Sequence, residues 1–220
     1  SLSSNRALGG WTPDSEGTNL VAWYKNKEGI VLNGSNVSRW NDSSSFDNNM
    51  VQSTEEKQPA YNASTGALTF DKTASQSLQT GTQISISGEF SIGVRLNAST
   101  INVVVLGDNT VPNEFFKIIT STVLRLKTDG TIADITVNDG DLTADNYLLF
   151  TRNASNLVSL YVNGTLQTDT ETLAGTVDID AIGIRRTDNN PYDGTISEVQ
   201  IYRSTSLALT NNVNDYLSNL

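Results

Sequence analysis

The chain has 220 residues, 37 % hydrophobic and 17 % charged, with 14 Lys and Arg against 24 Asp and Glu for a net charge of −10, and it contains neither histidine nor cysteine. This excludes a disordered tail, a Ser-His-Asp triad, a cysteine nucleophile and a Cys/His zinc site. Clustered Lys and Arg are what phosphate backbones require, and the one adjacent basic pair is Arg185-Arg186, so no nucleic-acid partner is expected.

In chain order, residues 1–18 hold Gly9-Gly10, Pro13 and Gly17 without periodicity and read as an N-terminal arm. No basic segment with an apolar run stands at the start, which fits either a whole protein that lost its initiator methionine or a trimmed one; in the first case an extracellular place would need a route other than the usual export signal, such as a virus particle. From residue 19 to 220 the pattern is that of one domain of strands. Leu20–Tyr24 is a short apolar run, and Phe90–Leu96 alternates with Phe90, Ile92, Val94 and Leu96 on one face. Further runs rich in Val, Ile, Thr and Tyr follow at Ile101–Leu106, Glu114–Thr120, Val123–Leu126, Ile132–Val137, Tyr147–Arg152, Leu157–Val162, Val177–Ile184 and Thr195–Arg203. Apolar runs this short leave no membrane-inserted helix. Asp129-Gly130, Asp139-Gly140 and Asn163-Gly164 are pairs that accept the positive φ of tight hairpins. One helix is expected near the end, where Leu209, Val213 and Leu217 recur at turn spacing behind Thr210 as N-cap. About a dozen antiparallel strands without cysteine are most simply buried as two packed sheets, an all-β sandwich or jelly roll with a short C-terminal helix.

Several segments, in the right order over residues 19 to 220, resemble the LamG-like, concanavalin A-like jelly rolls of secreted and phage proteins. Asn19–Tyr24 resembles their first strand, and Val37-Ser38-Arg39-Trp40-Asn41-Asp42 their V-x-x-W-x-D segment. Gln58-Pro59-Ala60-Tyr61 and Leu68-Thr69-Phe70-Asp71 are similar to the elements that follow. Val158–Gly164 is similar to the family's V-x-L-Y-V-N-G hairpin and Tyr192–Tyr202 to its closing strand. One departure stands after Asp42, where Ser45-Phe46-Asp47 replaces a glycine-bearing turn.

The related laminarinase-type glycosidases carry Glu-x-Asp-x-x-Glu on one strand, and none of the eight glutamates here sits in that pattern. Asp178-x-Asp180 places two carboxylates at strand spacing, as a solvent-facing pair on an edge strand would. Calcium takes oxygen ligands from flexible loops. Gly107-Asp108-Asn109 and Asp188-Asn189-Asn190…Asp193 are oxygen-rich loops of that kind, and the resemblance implies calcium at such a sandwich rim. The candidate metal ligands are therefore Asp108, Asp188 and Asp193, and the candidate ligand-binding residues are Tyr192, Asn189, Asn190, Asp108 and Asn109. Trp11, Phe46, Tyr61 and Tyr192 are the aromatics outside the strand runs, with Tyr192 the foremost candidate for stacking on a sugar. Trp23, Trp40, Tyr161 and Tyr202 belong to the core by their motif positions.

Three functions fit these features. The first is a non-enzymatic recognition or adhesion module, extracellular or on a virion surface, that binds glycan or a cell-surface ligand. The second is a structural or decoration protein of a phage virion with other virion proteins as partners. The third is a glycoside hydrolase or polysaccharide lyase, against which the missing histidine and paired glutamates speak.

Overall fold

The computed structural model describes residues 10–110 and 114–220. Of the expected arm, residues 1–9 lie outside the described residues. The rest is docked: Pro13–Asn19 forms 3-10 turns behind Thr12, and the Trp11 ring packs edge-on against Tyr216.

The described chain forms seventeen strands and one α-helix. The N-terminal third supplies β1 (Leu20–Tyr24), β2 (Ile30–Asn33), β3 (Asn36–Trp40), β4 (Met50–Val51), β5 (Ala60–Asn62) and β6 (Ala67–Phe70). The middle supplies β7 (Leu78–Ile86), β8 (Phe90–Ala98), β9 (Val103–Gly107), β10 (Phe115–Thr120), β11 (Val123–Thr128) and β12 (Thr131–Thr136). β13 (Asp145–Arg152), β14 (Leu157–Val162), β15 (Thr165–Thr172), β16 (Val177–Ile182), β17 (Gly194–Tyr202) and the helix α1 (Leu207–Ser218) complete it.

Every pairing is antiparallel. β17 lies between β8 on one side and β1 and β6 on the other, and β8 continues through β13 and β14 to β15. The facing sheet runs β2–β3–β4–β7–β16–β9–β10–β11–β12. The short strand β5 bonds both β3 and β6 and so joins the two sheets along one edge. This is the expected two-sheet sandwich.

Inward-pointing residues of both sheets, among them Trp40, Phe70, Phe90, Phe116, Phe150 and Tyr24, form the main core. Each such side chain contributes about 1.5–3 kcal/mol by leaving water. A second cluster lies outside the first sheet, where Leu209, Val213 and Leu217 of α1 cover Leu20, Trp23, Leu149 and Tyr202. Two bulges allow this arrangement. A register shift between Leu20 and Ala22 turns Trp23 outward and Tyr24 inward, and one between Ile196 and Glu198 sends Glu198, Gln200 and Tyr202 under the helix while Ile196, Val199 and Ile201 stay in the core.

The helix begins earlier than its sequence suggests. Ser206, not Thr210, is its N-cap, accepting a hydrogen bond from Leu209 N at 3.0 Å, and Thr210 is buried within the helix. Asn163-Gly164 turns β14 into β15 with both residues at positive φ, and the Asn163 amide oxygen accepts from Tyr147 N at 2.9 Å. Asp129-Gly130 joins β11 to β12 with Gly130 at positive φ and Asp129 not, whereas Asp139-Gly140 lies in the longer loop between β12 and β13. Where the glycine-bearing turn was expected, Asp47 adopts φ +57° and supplies the left-handed residue. Asp42 organises that loop, accepting from the backbone N–H groups of Trp23, Ser44 and Asn48.

Candidate functional site

The rim loops meet as the sequence suggested, but they satisfy one another. Asn109 Nδ2 donates to Asp188 Oδ1 at 3.3 Å, and Arg186 N donates to the Asp108 carbonyl at 2.7 Å. Asp188 also pairs with Lys57 at 2.7 Å. Asp108 is fully buried, its carboxylate accepting from Thr110 N and Oγ1 at 2.8 and 2.7 Å. The Asn189 amide bonds back to Arg186 O and Thr187 Oγ1, and Asn190 Oδ1 accepts from the Arg185 guanidinium at 3.0 and 2.8 Å. Asp193 stands just before β17, where its carbonyl accepts from Ser99 N. Asp108, Asp188 and Asp193 therefore do not converge, and among the described residues no three acidic groups form a set that could hold a metal ion.

Tyr192 corrects the reading further. Its ring is 0 % exposed, packs edge-on against Phe70 at 5.8 Å between centroids, and donates its hydroxyl to Thr195 O at 3.1 Å. A sugar cannot reach it. The chain folds the ring inward because Tyr192 N bonds the Gly183 carbonyl, tying this loop to the end of β16. Asp178 and Asp180 are not on an edge strand either, since β16 runs between β7 and β9. Asp180 is buried beneath the rim, accepting from Asn109 N and Thr110 Oγ1, and burial raises its pKa. Glu114 beside it accepts from Asp178 N, and burial, with the charges of Asp178, Asp108 and Asp129, pushes its pKa up to about 7.

Of the other aromatics, Trp11 packs against α1, Tyr61 lies in β5 against the core, and Phe46 is 40 % exposed under the Arg203 guanidinium. Trp40 and Tyr202 are fully buried, Trp23 lies beneath the helix, and Tyr161 packs beside it.

An open polar concavity lies elsewhere, on the part of the first sheet that α1 leaves uncovered. It is a groove of about 540 Å³. Outward residues of three neighbouring strands form its floor: Thr195 and Ser197 from β17, Arg95 and Asn97 from β8, and Thr69 from β6. Arg95 spans one end, donating to Leu217 O at 3.0 Å and to the Asp145 carboxylate at 3.1 Å. Asn26 forms the opposite wall, its amide donating to Thr65 O at 3.0 Å and Ser197 O at 3.1 Å. Gly66, at φ +77°, permits this docking, because a Cβ there would stand 2.4 Å from Asn26 Nδ2.

A buried carboxylate holds that wall from below. Glu198 is fully buried and accepts from Asn26 N at 2.5 Å, from the Trp23 indole N–H and from Gln200 Nε2 at 2.9 Å, while Tyr202 OH donates to Gln200 Oε1 at 2.8 Å. Burial outweighs these bonds and the nearby Lys25 charge, pushing the Glu198 pKa up to about 7. The groove residues are scattered polar side chains from strands distant in sequence, so no local motif marked them. Only the strand register brings them together.

No protein-family model and no curated protein matches the sequence. Solved structures do. The chain is similar to the binding domain of Paraclostridial Mosquitocidal Protein 1, with TM-score 0.61 and 15 % identity, covering 92 % of this chain and 52 % of that one. It is similar to domain 4 of AbnA, a GH43 extracellular arabinanase from Geobacillus stearothermophilus solved with arabinotriose. There the TM-score is 0.59 at 18 % identity, over 91 % of this chain and 98 % of that one. The botulinum neurotoxin serotype C1 binding domain gives 0.53 at 16 %, over 92 % and 52 %. The chain spans about half the length of the two toxin binding domains. At these identities the likeness shows a shared jelly-roll-type sandwich.

Proposed function

We propose that the chain is a non-enzymatic recognition module of LamG-like type that binds a saccharide in the groove on the outer face of its first sheet. The observation that carries this is the groove's chemistry: amides of Asn26, Asn62 and Asn97, hydroxyls of Thr195 and Ser197, and the Arg95–Asp145 pair, displayed on a rigid sheet. Amides, hydroxyls and paired charges are the groups that bond sugar hydroxyls. The groove side chains include one carboxylate, Asp145, already bound to Arg95, whereas glycoside hydrolysis by two carboxylates needs a facing pair. Glu198 is closed off beneath the wall and reaches no substrate. The likeness to a domain solved with arabinotriose and to toxin binding domains supports the same reading. A module of this kind works outside the cell, in a secreted protein or on a particle surface.

The test is a glycan array probed with the full chain and with Asn97→Ala, an exposed position whose loss leaves the core intact. Retention of a saccharide by the parent, weakened about tenfold in the variant, is expected from the loss of one hydrogen-bonding group. An array that retains nothing, or binding indifferent to Asn97→Ala and Thr195→Val together, overturns the assignment.

A further inference from the structure

The carboxylate beneath the groove wall joins the groove to the proton concentration outside. Glu198 Oε1 accepts from the Trp23 indole N–H and from Gln200 Nε2, and Oε2 accepts from Asn26 N at 2.5 Å. All three neighbours donate, a set that suits an ionised carboxyl, which only accepts. A proton goes to Oε2, because Oε1 already takes two donors. There it competes with the Asn26 N–H, and a bond to a charged acceptor becomes one to a neutral carboxyl, about half as strong.

Asn26 carries this change into the groove. Its side-chain amide bonds Thr65 O and Ser197 O, and Gly66 packs against that same amide. One residue therefore ties Glu198 to the turn whose Asn62, Ser64, Thr65 and Ala67 line the groove. Other charged and titratable groups face Glu198 from each side. Lys25, paired with Glu28 and lying over the Trp23 ring, favours its ionised form. Arg95, opposite it on β8, is turned to Leu217 O and Asp145. Tyr202 shares its strand, Tyr216 of α1 packs on Trp23, and Glu16 and Asp14 on the N-terminal turns act on Tyr202. Burial prevails over these neighbours, so Glu198 ionises near neutral pH.

We propose that Glu198 is a proton-operated latch on the groove: ionised, it fixes the Asn26 wall and the groove binds its saccharide; neutral, it releases the wall and binding weakens. Glu198 is thus a positioning residue that acts through Asn26. That the occupant is a saccharide rests on the function proposed above, while the latch rests on the bond from Asn26 to Glu198. The coupling is reciprocal, so a saccharide that needs the fixed wall expels the proton when it binds.

The experiment is a magnetic-resonance titration of the isotopically labelled full chain from pH 5 to pH 8 without saccharide, repeated with Glu198→Gln, a neutral isostere. The Trp23 indole N–H reports the ionisation of Glu198 directly. The Asn26 side-chain amide and Gly66 N–H report the wall, and both are expected to shift with the Trp23 midpoint in the parent and to stay still in Glu198→Gln. A Trp23 signal that does not titrate, or wall signals indifferent to it, overturns the latch. Wall signals that still titrate in Glu198→Gln overturn it too, since they then follow another group, such as Glu114, which ionises in the same range. A neutral saccharide retained by the parent on the array is next titrated calorimetrically at both ends of that range. The parent is expected to bind about tenfold more tightly at pH 8, with release of a proton, and Glu198→Gln to bind at the weaker level throughout. Glu198→Gln should melt at or above the parent temperature at pH 8, which separates lost affinity from lost fold. Equal parent affinities at the two pH values overturn the latch. An array that retains nothing removes the saccharide reading, and the amide titration then decides the latch by itself.

Discussion

Arg152 and Glu198 show how individual side chains hold this sandwich, and neither role was legible in the sequence. Arg152 is a fully buried cation whose guanidinium donates to the carbonyls of Gly88, Ile86, Leu173 and Gly175, stacked over Phe90 at 4.9 Å. Arg152→Met should cost about 3–5 kcal/mol, since it strands buried acceptors, and a urea melt that moves by less than a third of that would refute the role. Glu198 acts through pH. In the unfolded chain its carboxyl ionises near the ordinary value of 4.5, but in the fold only near 7. Below pH 4.5 both states hold the proton, and nothing is lost. Between there and 7 the native state retains a proton that the unfolded chain releases, so stability falls as pH rises, by roughly 3 kcal/mol in full above pH 7. Glu114 adds a loss in the same window. The melting temperature should therefore drop from pH 5 to pH 8, and Glu198→Gln should flatten that slope; a parent melt indifferent to pH would contradict both assignments. Tyr192 and Asp108 misled for a related reason. Asn-Asn-Pro-Tyr-Asp-Gly has the composition of an exposed loop, and only a long-range bond to Gly183 turns the ring inward.

Among the elements, strands with clean alternation, such as Phe90–Leu96, were legible because one face had to be apolar. The strand β7 was not, because Gln79-Thr80-Gly81-Thr82-Gln83 lacks apolar residues, and of these five Gln79 alone has strand partners, opposite Ala181 and Val51. β9 starts at Val103 rather than Ile101, since Asn102 takes φ +60° and ends the preceding loop. The helix was legible from its Leu209, Val213 and Leu217 spacing, but its seat was not. That seat is Gly93 on β8, where a Cβ would meet Val213 Cγ1 at 2.9 Å and Leu217 Cδ1 at 3.1 Å. Gly93→Ala should destabilise by about 1–3 kcal/mol through overpacking. Because the clash is with Val213, adding Val213→Ala should cost less in the Gly93→Ala background than in the parent. Additive losses in thermal melts would show that the helix does not rest on this glycine.

For the molecule as a whole, the sandwich followed from strand spacing and turn pairs, while the division of its surface did not. Periodicity says that alternate residues point outward, yet it cannot say which outward faces become neighbours. β17 beside β8 and β6 collects Thr195, Asn97 and Thr69 into a groove, and β10 beside β11 collects Lys117 and Lys127 around Phe115. The rim loops favoured by composition proved to be closed on themselves. The most direct measurement of the central claim is amide chemical-shift mapping of the isotopically labelled chain during titration with a saccharide retained on the array. The expected result is that Asn26, Asn97, Thr195 and Ser197 shift together and saturably while the Asp188–Asp193 loop stays still. Shifts centred on that loop, or no saturable shift at the groove, would contradict the account.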